Sequence, residues 1–230
     1  VQHDDAFRFT IKLYRGFTHD DDYGEFEVRA FREALFPLVE EARLGAVLLQ
    51  FPWSFKNAPE NTRRLEDLLE RFQDYPLVVE VRHSSWNETP FFELLADRGV
   101  GFCNIDQPLI GRSIGPTHRT TSPVGYVRLH GRNYSEWFRN DAGRDERYDY
   151  LYSEDELDPW LDKIVEVSDS SPETYVVTNN HFRGQAVVNA LQIRSRLEKR
   201  RVRGPDTLVD RYPVLRDIVT PERGSQGRLF

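Results

Sequence analysis

The stretch Pro76-Leu-Val-Val-Glu80-Val-Arg82-His83-Ser-Ser-Trp86 decides how this chain is read. Its apolar residues spell a buried strand, yet Glu80 and Arg82 share one parity and His83 closes the run. A buried carboxylate and guanidinium are costly unless they are paired or used. The same design returns at Tyr126-Val-Arg128-Leu-His130-Gly131. Two apolar strands that carry titratable groups on one side predict a shared polar site.

Outward from these strands, the chain alternates between strand and helix patterns. Phe7–Tyr14 alternates as a strand, and Phe26, Ala30, Phe31, Ala34, Leu35, Leu38, Val39 and Ala42 repeat at helical spacing. Ala46–Phe51 reads as a strand, Leu65, Leu68, Leu69 and Phe72 mark a helix, and Leu77–Arg82 is the third strand. A short helix, Pro90–Arg98, precedes the strand Val100–Asp106. The connection Gln107–Pro123 is expected to be functional or mobile. Gly125–His130 is the fifth strand, and Ser153 with Glu156 forms a capping box ahead of Trp160, Leu161, Ile164 and Val165. Thr174–Thr178 and a helix over about Gln185–Arg200 complete the series. Residues 1–200 are expected to form one domain and 201–230 a tail with little core of its own.

Alternating strands and helices imply an α/β fold with a parallel sheet covered by helices. An open doubly wound sheet and the last six of eight units in a barrel both satisfy the pattern. No Gly-x-Gly-x-x-Gly or phosphate-loop lysine motif follows a strand, which weakens the nucleotide-binding open-sheet reading. The chain has no methionine and opens almost directly into a strand, so an N-terminally shortened piece or an incomplete gene model is expected.

The 230 residues carry a net charge of −7, which argues against a broadly basic nucleic-acid surface. Lysine is confined to positions 12, 56, 163 and 199, a balance that fits a halophilic or GC-rich source and equally codon bias. No apolar run approaches the ~20 residues of a membrane span. One cysteine, Cys103, excludes an internal disulfide and a cysteine zinc site. A cytoplasmic protein with no membrane partner is expected.

Strand parity suggests which side chains converge. Lys12, Gln50, Glu80, Arg82, Asp106, Arg128, His130 and Asn179 all fall near the carboxyl ends of strands, where parallel α/β folds place their sites. On β-strand alternation Asn104 and Asp106 are expected on the polar side, with Cys103 facing the helices as an inert core residue. Glu80, His130 and His83 are the candidate acid and base groups. His83 is equally a hydrogen-bonded strand cap. Lys12, Arg82 and Arg128, with Arg132 as a further candidate, suit an anion. Gln50, Asp106, Asn179, Asn180 and His181 complete the substrate-binding candidates, though Asn180 also reads as a plain helix cap. Glu80, Asp106 and His130 offer oxygen and nitrogen ligands for a divalent metal, but neighbouring arginines oppose a cation. No cofactor motif is visible. Trp53, Phe55, Trp86, Tyr134, Trp137 and Phe138 follow strands and either stack on a ligand or cover core.

Several segments together resemble the DUF72 (YecE-like) family of uncharacterised function. They are Phe9-Thr-Ile-Lys12 with Thr18-His19, Leu48-Leu-Gln50-Phe-Pro52-Trp-Ser-Phe55 and Val79-Glu80-Val-Arg82-His83-Ser-Ser-Trp86. They continue through Tyr126-Val-Arg128-Leu-His130-Gly131-Arg132, Tyr148-Asp-Tyr150-Leu-Tyr152-Ser and Asn179-Asn180-His181-Phe182 with Gly184-Gln185-Ala186. The resemblance implies a TIM-type (β/α) barrel. The family's opening Gly-Thr-Ser-Gly-Trp segment and its strand with Glu-Ile-Asn are absent here. The resemblance therefore implies that the first two βα units are missing, the six strands standing for the third to eighth.

Two functions follow as expectations. One is an enzyme of hydrolase, isomerase or phosphodiesterase type, acting by acid/base chemistry on a small anionic molecule or nucleic-acid component. The other is a binding module: Gln226-Gly-Arg-Leu229-Phe230 resembles the terminal peptides that dock on sliding clamps in DNA replication and repair.

Overall fold

The structure, a computed structural model, describes residues 7–134 and 148–222. Trp137, Phe138 and the clamp-like residues Gln226, Leu229 and Phe230 lie outside the described residues.

Six strands form one sheet in the order of the chain: β1 (Phe9–Lys12), β2 (Leu44–Gln50), β3 (Leu77–Glu80), β4 (Gly101–Asp106), β5 (Val124–Leu129) and β6 (Glu173–Thr178). β1–β2, β2–β3 and β3–β4 pair in parallel. The near-continuous apolar runs of β2, β3 and β4 are what a parallel strand covered on both faces requires, and all residues of β3 and β4 are buried. This is an α/β fold on a parallel sheet, consistent with a TIM-like α/β fold.

The helices form where their termini are provided for. In α1 (Glu25–Glu40) the Glu27 carboxylate accepts the Gly24 N–H at 2.7 Å. Pro59 opens α2 (Pro59–Arg71), where its missing N–H costs nothing. Leu65, Leu68 and Leu69 are the buried stripe of that helix. After α3 (Thr89–Asp97), the expected capping box is present at the start of α4 (Glu154–Asp169). Ser153 N–H donates to Glu156 Oε2 at 3.0 Å, and Glu156 N–H to Ser153 Oγ at 3.4 Å.

The described chain divides into two compact units. The first comprises residues up to Ile105, with Leu109–Val127 and Val167–Tyr175; the second comprises Asp106–Pro108, Arg128–Glu166 and the chain from Val176 onward. In the first unit, the Tyr126 hydroxyl donates to the Thr10 hydroxyl at 3.0 Å, across 116 positions of sequence. Phe55 and Trp86 belong to its core rather than to a ligand platform. Their rings stack at 5.4 Å, and Trp86 Nε1 donates to Phe55 O at 2.8 Å.

The 107–123 connection is held in place. Asn104 Oδ1 accepts from Thr117 Oγ1 at 2.8 Å and Arg119 N at 2.7 Å, while its Nδ2 donates to Arg119 O at 2.9 Å. Ile114 N–H donates to Arg82 O at 2.8 Å, so the connection lies along the end of β3.

In the second unit, the stretch expected as a tail with little core of its own carries regular structure through Glu222. β7 (Val202–Pro205) and β8 (Val219–Glu222) pair in parallel around α6 (Asp206–Arg211). Val202, Val209, Leu215 and Val219 bury themselves against Val188 and Leu191 of α5 (Gln185–Glu198). Among the described residues no helix is long and apolar enough to cross a membrane.

Candidate functional site

Register settles which side chains of the first unit share a face. Lys12 stands beside Leu48, and Gln50 beside Glu80. Val79 pairs with Phe102, so continuing the ladder sets Cys103 level with Glu80. Its thiol is 3.9 Å from Glu80 Oε2. Cys103 therefore faces the Glu80 side and not the helices, which corrects the expected parity of β4. Asn104 and Asp106 fall on the opposite parity.

Glu80 is fully buried, with Arg82 two residues on at the strand's end. Arg82 Nε and Nη2 both donate to Glu80 Oε1, at 3.1 and 2.9 Å. The carboxylate aims the guanidinium. After β1 the chain closes one wide, π-type turn of helix, Gly16–Asp20, carrying the buried Thr18 and the half-buried His19. Thr18 Oγ1 lies 2.9 Å from His19 Nδ1. Burial holds the His19 imidazole below its ordinary value, and Lys12, Arg15 and Arg82 press it further down, opposed by Asp20. Of these, Arg15 donates to both Asp20 oxygens at 2.9 Å and Arg82 is paired with Glu80.

His19 was not among the candidates named from sequence. It follows a strand's carboxyl end as a titratable residue, and that position was the available signal.

His83 has the other parity and another setting. Its Nδ1 lies 2.8 Å from Ser85 Oγ and accepts Ser85 N–H at 3.1 Å, so it caps the turn Ser84–Trp86. Trp53 meets it edge-on with ring centroids 5.0 Å apart. Desolvation, with Arg112 and Lys56, pushes its pKa down.

The second unit holds its own polar network. Asp106 is buried and accepts four hydrogen bonds: Arg132 Nε at 2.8 Å and Nη2 at 2.9 Å, Tyr152 OH at 2.5 Å, and Trp160 Nε1 of α4 at 3.1 Å. Its oxygens serve the protein, so Asp106 does not fit the expected role of substrate ligand. Arg132 also reaches Glu156 at 3.4 Å, and Glu156 accepts the Tyr150 hydroxyl. Two carboxylates neutralise Arg132, which removes it from the expected positive floor. Burial first, and then Asp106, push the Tyr152 phenol far above its ordinary value.

His130 is fully buried; its N–H donates to Asp106 O at 2.9 Å, and its Nδ1 lies 3.2 Å from Asn179 Nδ2. Arg128 is buried. Asn180 is not a helix cap: its Nδ2 donates to Tyr150 O at 2.6 Å and Asn189 Oδ1 at 2.8 Å. His181 is exposed, its ring centroid 4.9 Å from that of Tyr148. Among the described residues no group of three or more His, Cys, Asp or Glu side chains is arranged to hold a metal ion, so Glu80, Asp106 and His130 form no such set.

These strand-end groups lie on an α/β fold with a six-stranded parallel sheet, consistent with a TIM-like fold. The model of the family "Protein of unknown function DUF72" matches residues 1–210, and the chain belongs to that family. It is 32% identical over 204 residues to UPF0759 protein YunF of Bacillus subtilis, covering 82% of this chain and 72% of the relative. A DUF72 crystal structure from Thermotoga maritima superposes with a TM-score of 0.79 at 39% identity, covering 86% of this chain and 76% of that one. Another, from Enterococcus faecalis, gives 0.77 at 29% identity, covering 84% and 75%.

Proposed function

We propose that this protein is an enzyme on a TIM-type barrel that acts on a small anionic substrate by acid/base chemistry. Lys12 and Arg82 hold the anion, and His19 carries the proton. The observation behind this reading is that the half-buried His19 feels Lys12, Arg15 and Arg82. Arg15 is paired with Asp20 and Arg82 with Glu80, so Lys12 and part of each guanidinium meet the anion. A cluster of cations lowers the free energy of a bound carboxylate or phosphate. Burial first, and then the same cations, hold the His19 pKa down and favour the neutral ring, ready to accept a proton. Glu80 acts as a positioning residue, because its oxygen Oε1 is committed to the Arg82 fork.

The test is calorimetric titration with inorganic phosphate, phosphoesters and sugar acids, followed by turnover assays on those that bind. Lys12→Ala is expected to weaken binding at least about tenfold, the worth of one charge-assisted hydrogen bond. His19→Gln is expected to spare binding and abolish turnover. Absence of binding by every anion in the panel would overturn the reading.

A further inference from the structure

Around the turn that follows His83 lies an open surface depression lined by Asn57, Thr62, Arg63, Ser85, Glu88 and Arg112. Its floor is a hydrogen-bonded frame that ties the loop after β2 to the loop after β3. Asn57 N–H donates to Ser85 Oγ at 2.9 Å, and Thr62 Oγ1 donates to Asn57 Oδ1 at 3.2 Å. Asn57 Nδ2 reaches Ser85 O at 3.4 Å and also Glu88 Oε1. Ser85 in turn is held by His83. Glu88, the single carboxylate of the lining, accepts from Asn57 and keeps its charge, so Arg63 and Arg112 leave the lining with one positive charge in excess. Arg63 comes from α2, where its Nε donates to Pro59 O at 3.1 Å, and Arg112 from the 107–123 connection. Ser84 N–H donates to the Arg112 carbonyl at 2.8 Å, which fixes that backbone against the same frame.

We propose that this depression is an oxyanion-binding site, separate from the His19 cluster, that takes a phosphate group with Arg63 and Arg112 as its two forks. Each guanidinium offers paired N–H donors. Two forks from different elements suit a tetrahedral oxyanion, which has acceptors on several sides; a planar carboxylate would be served by one. A frame cross-linked before the ligand arrives loses little conformational entropy on binding. His83 reports on the site, since the charges of Arg112 and Lys56 act on its ring.

The test is an NMR titration of the full chain with inorganic phosphate at low ionic strength, following the ring resonances of His83 and His19, assigned with His83→Gln and His19→Gln. A saturable shift at His83 is expected. It should weaken at least about tenfold in Arg63→Ala/Arg112→Ala and persist unchanged in Lys12→Ala. The His19 response in those variants reports separately on the first cluster. The inference is overturned if the His83 resonance does not move up to about 50 mM phosphate, a range that captures millimolar affinity. It is also overturned if the shift survives in the folded double variant.

Discussion

Arg82 places both Nε and Nη2 on one oxygen of Glu80, at 3.1 and 2.9 Å, while the other oxygen faces the Cys103 thiol at 3.9 Å. The carboxylate is fully buried and the guanidinium nearly so, with 11% of its side chain exposed. Such a pair is a poor source of stability, yet breaking it is expensive, because the survivor is left charged and uncompensated. Glu80→Ala is therefore expected to destabilise the protein by about 3–5 kcal/mol in urea unfolding. Replacing both residues by Leu and Met is expected to restore most of that loss. An additive double variant would show that the pair is not coupled.

His19 sets an acid dependence. Its folded pKa lies below 6.5, through burial first and then Lys12, Arg15 and Arg82, with Asp20 acting the other way. A bound anion raises it, so binding takes up a proton. Sulfate, whose own charge is constant over this range, is expected to bind more tightly as pH falls below about 6.5. His19→Gln should flatten that profile. For stability the sign is opposite: the neutral ring favours the folded state above 6.5, and that contribution is lost as pH falls through the folded value.

The Asp106 network predicts an alkaline response. Burial and Asp106 raise the Tyr152 phenol above its ordinary value of 10.0. Its contribution is present below pH 10 and lost as pH rises through the folded value. Ultraviolet titration is expected to show a tyrosine that ionises only on unfolding. Tyr152→Phe should remove that step, and it is expected to cost about 1–3 kcal/mol, because Asp106 Oδ2 loses a donor.

Gly131 has φ of 89°, and a Cβ there would stand 2.9 Å from Tyr150 Cβ. Gly131→Ala is expected to lower stability by more than about 1 kcal/mol in thermal unfolding, from left-handed backbone strain and the clash together.

Leu215 is fully buried in the cluster that joins residues 202–219 to α5. Leu215→Ala is expected to cost about 2–5 kcal/mol. A change below about 0.5 kcal/mol, measured by chemical denaturation, would mean that this region adds no core.

Local chemistry sufficed for the order of strands and helices, the Ser153–Glu156 capping box and the titratable ends of β1, β3 and β5. Each is written within a few consecutive residues: a spacing, a cap, a charge on an apolar run. Family membership was legible for the same reason, since its motifs are short strings at those strand ends. What faced what was not. Both parities of β4 are buried, so its own pattern carries no contrast between faces. Only pairing with β3 turned Cys103 toward Glu80 and left Asp106 to Arg132, Tyr152 and Trp160. Likewise Val202, Val209, Leu215 and Val219 are too sparse to announce a core. They become one only against Val188 and Leu191. The field on His19 arises from Lys12 and Arg82, which lie 7 and 63 positions away along the chain and meet it only through the fold. Side-chain alternation is a property of one strand, whereas register, burial and electrostatic neighbourhood belong to the packed molecule.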